Sequence, residues 1–154
     1  MAISAAEVKE LRDRTGAGMM DCKKALQETG GDVEAAIDLL RSKGAAKAAR
    51  RAEKEASEGV VASYVDGDAG VGALVAVNCE TDFVARTDDF QALADRLAEH
   101  VARHDDADGA QEGAALLEQA FMGGDRSVDQ LVTQTSAKTG EKIVVRSYAR
   151  FETD

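Results

Sequence analysis

Three apolar stripes of helical period fill the first 43 residues of this 154-residue chain, each closed by a glycine stop. Ser4 and Glu7 form an S-x-x-E capping box, Val8 and Leu11 share one face, and Thr15-Gly16 ends the first helix. A second stripe runs from Met19 to Glu28, with Cys22, Ala25 and Leu26 inward and Gly30-Gly31 as the stop. Asp32 caps a third, with Val33, Ala36, Ile37 and Leu40 inward and Gly44 as its expected end. Helices of about ten residues are marginal alone in water, so the three must bury their stripes on one another. A three-helix domain over residues 1–44 follows. The stretch AAKAARRAEKEAS is alanine-rich with dispersed charge, and it reads as an exposed helical connector over residues 45–58.

Charge divides the chain near Ser57 to Gly59. Residues 1–58 hold 11 basic and 11 acidic side chains, whereas residues 59–154 hold 8 and 18 and so carry the whole net charge of -10. Such a balance disfavours direct nucleic-acid binding, which needs cationic surface against phosphate. No run of 18 apolar residues is present, so no membrane span is expected. The start, MAISAAEVKELR, lacks the pattern of an export signal. Cys22 and Cys79 are far apart and match no zinc spacing, which makes a reduced, cytoplasmic protein the default.

The second part mixes strands and helices. Gly59 to Val65 and Val71 to Cys79 are β-rich runs around the turn DGDAG, and they read as a hairpin. Thr87 caps a helix whose stripe is Phe90, Leu93, Ala94, Leu97, Ala98 and Val101. Asp105 to Gly109 reads as a loop, and a weaker helix is expected from Gln111 to Phe121. Ser127 caps a helix with Val128, Leu131 and Val132 inward, ending at Thr139-Gly140. The closing run KIVVRSYARFE is a strand whose alternation puts Val144, Arg146, Tyr148 and Arg150 on one side. The expected class is α+β, with a three-stranded antiparallel sheet and packed helices in a core domain over residues 59–154.

Catalytic and cofactor signals are weak. His100 and His104 stand i, i+4, but no H-E-x-x-H arrangement or third ligand accompanies them, and two solvated histidines near a helix end is the plainer reading. Asp105, Asp106 and Asp108 are out of register for a calcium loop. Gly70-x-Gly72 lacks the rest of a phosphate fingerprint. Both cysteines read as core thiols. Neither a cofactor, a metal nor an enzymatic activity is expected.

Two segments are better suited to contact. Met19 and Met20 follow a glycine-rich turn, and adjacent helical residues cannot both face one core. At least one is therefore expected outside, where methionine is an adaptable contact. Phe83 stands between Asp82 and Val84, after a strand and before a capped helix. Turned outward, it is an apolar wedge beside an acid.

These segments carry a resemblance. VKELRDRTGAGMMDCKKAL (Val8 to Leu26), NCETDFVAR (Asn78 to Arg86) and TGEKIVVRSYARFE (Thr139 to Glu152) resemble, in order, the translation elongation factor Ts family. The resemblance implies a nucleotide exchange factor for the GTPase elongation factor Tu. It implies that the N-terminal helices are a ubiquitin-associated-like module that grips the GTPase through Arg12, Met19 and Met20, with Lys23 or Lys24 as electrostatic support. It also implies that Thr81, Asp82, Phe83 and Val84 drive release of Mg²⁺ and GDP from the partner. Longer members carry two core halves in tandem, whereas this chain has one and a shortened middle, which implies a homodimer packed through the strand-bearing part. Ser147-Tyr148 stands where the family commonly has a basic-aromatic pair, and no coiled-coil heptads are present. A peptide-binding scaffold is the alternative from the residues alone, and a metal enzyme resting on His100 and His104 is a third.

Overall fold

The computed structural model describes residues 2–153 and divides into two compact units, one up to Arg50 and one from Arg51. The first unit is helical. Helix α1 (Ala5–Thr15) starts at the Ser4–Glu7 capping box, in which each residue's side chain bonds the other's backbone amide, and stops at Gly16 in the left-handed conformation. Helix α2 spans Met19–Glu28 and α3 spans Val33–Ala52. Asp32 caps α3 by accepting the Ala35 amide at 3.0 Å. Val8, Leu11, Cys22, Ala25, Leu26, Ala36 and Ile37 form a buried cluster, with Val33 and Leu40 partly buried beside it.

Gly44 does not end the third helix, which continues to Ala52. A glycine stops a helix when the chain leaves it through the left-handed region. Gly44 keeps a negative φ, unlike Gly16, Gly30 and Gly31. Its cost of about 1 kcal/mol relative to alanine is offset by the alanines that follow, the strongest helix formers.

The second unit is α+β. Strands β1 (Glu58–Asp66) and β2 (Val71–Cys79) form the expected hairpin, in full register from Glu58 opposite Cys79 to Asp66 opposite Val71. Its turn is held by the Asp66 carboxylate, which accepts the amides of Asp68 and Ala69. After β2 come a four-residue helix α4 (Asp82–Ala85) and the long helix α5 (Asp88–His104). Strand β3 (Gly109–Glu112), two short 3₁₀ turns, α6 (Val128–Thr139) and strand β4 (Val144–Glu152) complete the unit. Among the described residues there are six α-helices and one antiparallel sheet of four strands, ordered β1-β2-β4-β3. The α5 stripe, from Phe90 to Val101, packs with Val75, Val77, Val145 and Tyr148 of the sheet's inner face and with Leu131 and Val132 of α6.

The fourth strand corrects the expectation of three, and it replaces the start of the helix expected from Gln111. Gln111 and Glu112 instead take the backbone bonds that the edge of β4 offers, which a short helix must outcompete, and Gly113–Leu116 is left as a single 3₁₀ turn. Gly113 makes the close approach possible, because a Cβ there would collide with the Val145 carbonyl. Strand β4 itself departs from plain alternation. Ser147 pairs with Ala76 but Val145 pairs with Val77, which leaves Arg146 as an extra residue. The bulge turns Val145 and Tyr148 inward, three apart, and leaves Arg146 exposed. Val144 and Arg146 therefore do not share a side with Tyr148 and Arg150.

His100 is fully buried, contrary to the expectation of a solvated residue. The Met122 amide donates to its Nδ1 at 2.9 Å, so Nε2 carries the proton and donates to Gln119 Oε1 at 2.9 Å. Gln119 in turn donates to Asp105, which also accepts from the Tyr148 hydroxyl. Burial lowers the His100 pKa, opposed by the bond to Gln119. Burial, reinforced by the Asp105 charge, pushes Tyr148 up to about 12. His104 is exposed and stacks on His100, so the two are not arranged as a ligand pair.

The outer face of the sheet is apolar and exposed. Val61, Val65, Leu74 and Phe151 lie on it at 67%, 76%, 48% and 61% exposure. The register sets Val65, Gly72 and Phe151 in one row across three strands, and Ser63, Leu74 and Ala149 in the next.

Candidate functional site

In the helical unit, the inward stripe of α2 is fixed by Cys22, Ala25 and Leu26. Met19 lies three residues before Cys22 and is partly turned toward the core. Met20 is rotated a further step and points away. Both are exposed, Met20 more so at 63% against 43%. Lys23 and Lys24 follow one turn later on the same exposed side, and Arg12 is exposed on α1. The start of α2 is lightly held, because its cap is Gly18 and makes no side-chain bond.

The Thr81–Val84 segment is built differently. Thr81 is the N-cap of α4 and accepts the Val84 amide on its hydroxyl. Val84 is half-buried against the core and Ala85 is buried, so this side of the turn is anchored. Phe83 emerges on the opposite side at 83% exposure. Asp82 is exposed and pairs with Arg86 at 3.4 Å. The far end of the turn is held by Thr87 and Gln91, whose side chains donate to the carbonyls of Val84 and Ala85 at 2.7 Å each.

Two carboxylates complete the frame. Glu141 Oε1 accepts the amides of Glu80 and Thr81 at 3.1 and 3.0 Å, and its Oε2 accepts the Thr81 hydroxyl at 2.7 Å. Glu80 returns the bond by accepting the Lys142 amide at 2.7 Å. Beneath the turn, Cys79 is buried and its thiol donates to the Thr81 carbonyl at 3.1 Å. Burial first, and then the Glu141 charge, raise its pKa. Sequence reasoning singles out Thr81 through Val84 but not the Glu80 and Glu141 that hold them, because nothing in the spacing links positions 60 residues apart.

The family model described as "Elongation factor TS" matches residues 80–154, which begin at this turn. The chain is 44% identical to elongation factor Ts of Syntrophomonas wolfei, with 97% of this chain and 90% of the relative covered. The chain belongs to the elongation factor Ts family. Elongation factor Ts of Moorella thermoacetica is 46% identical, with 97% and 95% covered. Alignments of 192 columns against 154 residues mean that these two elongation factors Ts carry residues this chain lacks. Elongation factor Ts of Aquifex aeolicus is 44% identical over the whole of this chain but only 54% of its own length. Among the described residues, no group of three His, Cys, Asp or Glu side chains could hold a metal ion, and no helix is long and apolar enough to cross a membrane.

Proposed function

We propose that this chain serves translation elongation in the cytoplasm as the nucleotide exchange factor of elongation factor Tu. It makes no covalent change itself. Family membership supports the role, and the observation that carries the mechanism is Phe83, apolar and 83% exposed on a turn tied down from both ends. Phe83 and Asp82 insert into the GTPase and shift the groups that hold Mg²⁺ and the β-phosphate, with Thr81 and Val84 shaping the turn. Mg²⁺ demands near-ideal octahedral geometry, so a small displacement weakens GDP strongly. The N-terminal unit, read as a ubiquitin-associated-like module, grips the partner through Arg12, Met19 and Met20, with Lys23 or Lys24 in support.

Exchange is a linkage effect. Whatever factor this protein takes from GDP affinity, GDP takes from the affinity of the complex, so the empty GTPase is bound best. The test is release of fluorescent GDP from elongation factor Tu at fixed Mg²⁺. Acceleration by the full chain is the expected result, and binding without acceleration would favour the scaffold alternative.

A second copy of the chain covers the outer sheet face in this reading. Val61, Val65, Leu74 and Phe151 form an exposed apolar patch of the kind that marks an interface, and a two-fold axis buries the same patch on both copies. Light scattering should give a dimer, and Val65→Lys should give a monomer.

A further inference from the structure

Helix α4 has four residues, far too few to hold its own shape. Its form comes from outside, and much of it from one side chain. Without Glu141, the Glu80 and Thr81 amides would lose the acceptor they share, and the Thr81 hydroxyl would lose its own. Bonds from two backbone amides to a carboxylate are the strong, charge-assisted kind.

The carboxylate is itself mounted firmly. Gly140 ends α6 in the left-handed conformation and donates to the Ser136 carbonyl. The Ser136 hydroxyl then donates to the Glu141 carbonyl at 2.6 Å. The next residue, Lys142, has its amide bound by Glu80. Two adjacent pairs, Glu80-Thr81 and Glu141-Lys142, thus bind each other's backbone in both directions.

We propose that Glu141 is a positioning residue for nucleotide exchange, fixing the angle at which Phe83 is presented by holding the Glu80 and Thr81 amides. The role deepens the exchange-factor reading and rests on it. A turn freed of this tie samples other shapes, and part of the Phe83 contact energy then goes into ordering it on binding. Glu141 acts through Phe83 rather than beside it.

A double-mutant cycle on the full chain tests this, with release of fluorescent GDP from elongation factor Tu as the readout. Glu141→Ala should lower the maximal exchange rate about ten-fold while raising the half-saturating concentration much less. Glu141→Gln keeps an oxygen for the two amides and should restore most of the rate. In a Phe83→Ala background, Glu141→Ala should cost nothing further. An equal cost in both backgrounds would mean a general loss of structure and would overturn the role. Should Glu141→Ala lose its helical circular dichroism, Glu141→Asp keeps the charge, draws the carboxylate back from the Glu80 and Thr81 amides, leaves the Thr81 cap in place, and must show the same dependence on Phe83. Wild type that accelerates release, with Glu141→Ala equally fast, overturns this role and leaves the exchange reading intact. Wild type that does not accelerate release overturns both.

Discussion

Met19 and Met20 open a helix whose cap makes no side-chain bond, on a unit with a buried cluster of seven residues. Phe83 projects from a turn fastened by Glu141, Thr87 and Gln91 beside the larger core. The first display is soft in both side chain and support. Methionine has three rotatable bonds and a polarizable sulfur, and it refits to the surface it meets. The second is a ring with two torsions on a fixed mount. In the proposed exchange role, soft contact suits grip, which has to persist while the partner's nucleotide site changes shape. A fixed ring suits displacement, because force on a metal site requires a group that does not yield.

The sharpest way to break this contrast is to truncate each display. Phe83→Ala should reduce the maximal rate of GDP release about thirty-fold, as for loss of a hot spot of about 2 kcal/mol, with binding little changed. Met20→Ala should do the reverse, weakening binding about ten-fold at an unchanged maximal rate. Stopped-flow exchange and titration calorimetry on the same variants separate the two quantities, and equal effects on both would end the division of labour. Leucine swaps sharpen the contrast at smaller scale. Met20→Leu should cost less than about two-fold in affinity, since a methionine site tolerates a change of shape. Phe83→Leu should still slow exchange about five-fold, since leucine does not reproduce a rigid ring.

The smallest effect separates the two units by acid. Burial holds His100 in the neutral form and lowers its folded pKa below the ordinary imidazole value of 6.5. The unfolded chain therefore binds a proton that the folded one refuses. The stability held by the neutral ring is complete above about pH 6.5 and is lost as pH falls through the lower folded pKa. The helical unit buries no such group among its described residues. Amide exchange should show segment 113–126 loosening on mild acidification while α1 and α2 hold. His100→Gln should flatten that dependence.

The sequence was legible where local chemistry decides. The capping box at Ser4, the caps at Asp32, Thr87 and Ser127, and the stripe of α5 all sit within a few residues of what they control. It was misleading where a distant partner overrides a local preference. Gln111 and Glu112 look like the start of a helix until β4 offers its edge, Gly113 admits the close approach, and only a 3₁₀ turn is left over Gly113–Leu116. Gly44 looks like a stop, yet the chain does not turn there. Met19 and Met20 could be picked out because adjacent residues on a helix cannot both face one core, and Phe83 because it stands beside an acid between a strand and a capped helix. Glu141 could not be, because its target is reached only after the sheet has formed.

The buried chain from Met122 through His100, Gln119 and Asp105 to Tyr148 has a consequence for how such a chain can drift over generations. Each side chain in it has a set direction of donation. Replacing one leaves its neighbour with an unanswered polar atom in the interior, at about 1–3 kcal/mol. A lineage therefore meets a fitness valley at each single replacement, while a joint replacement by apolar residues of similar shape can be nearly neutral. These four positions should behave as one inherited block, with the effect of any change at Gln119 depending on what stands at 100 and 105. The stretch from Asp105 to Arg126, which lies between the segments that carry the family resemblance, would then be among the slowest to explore alternatives.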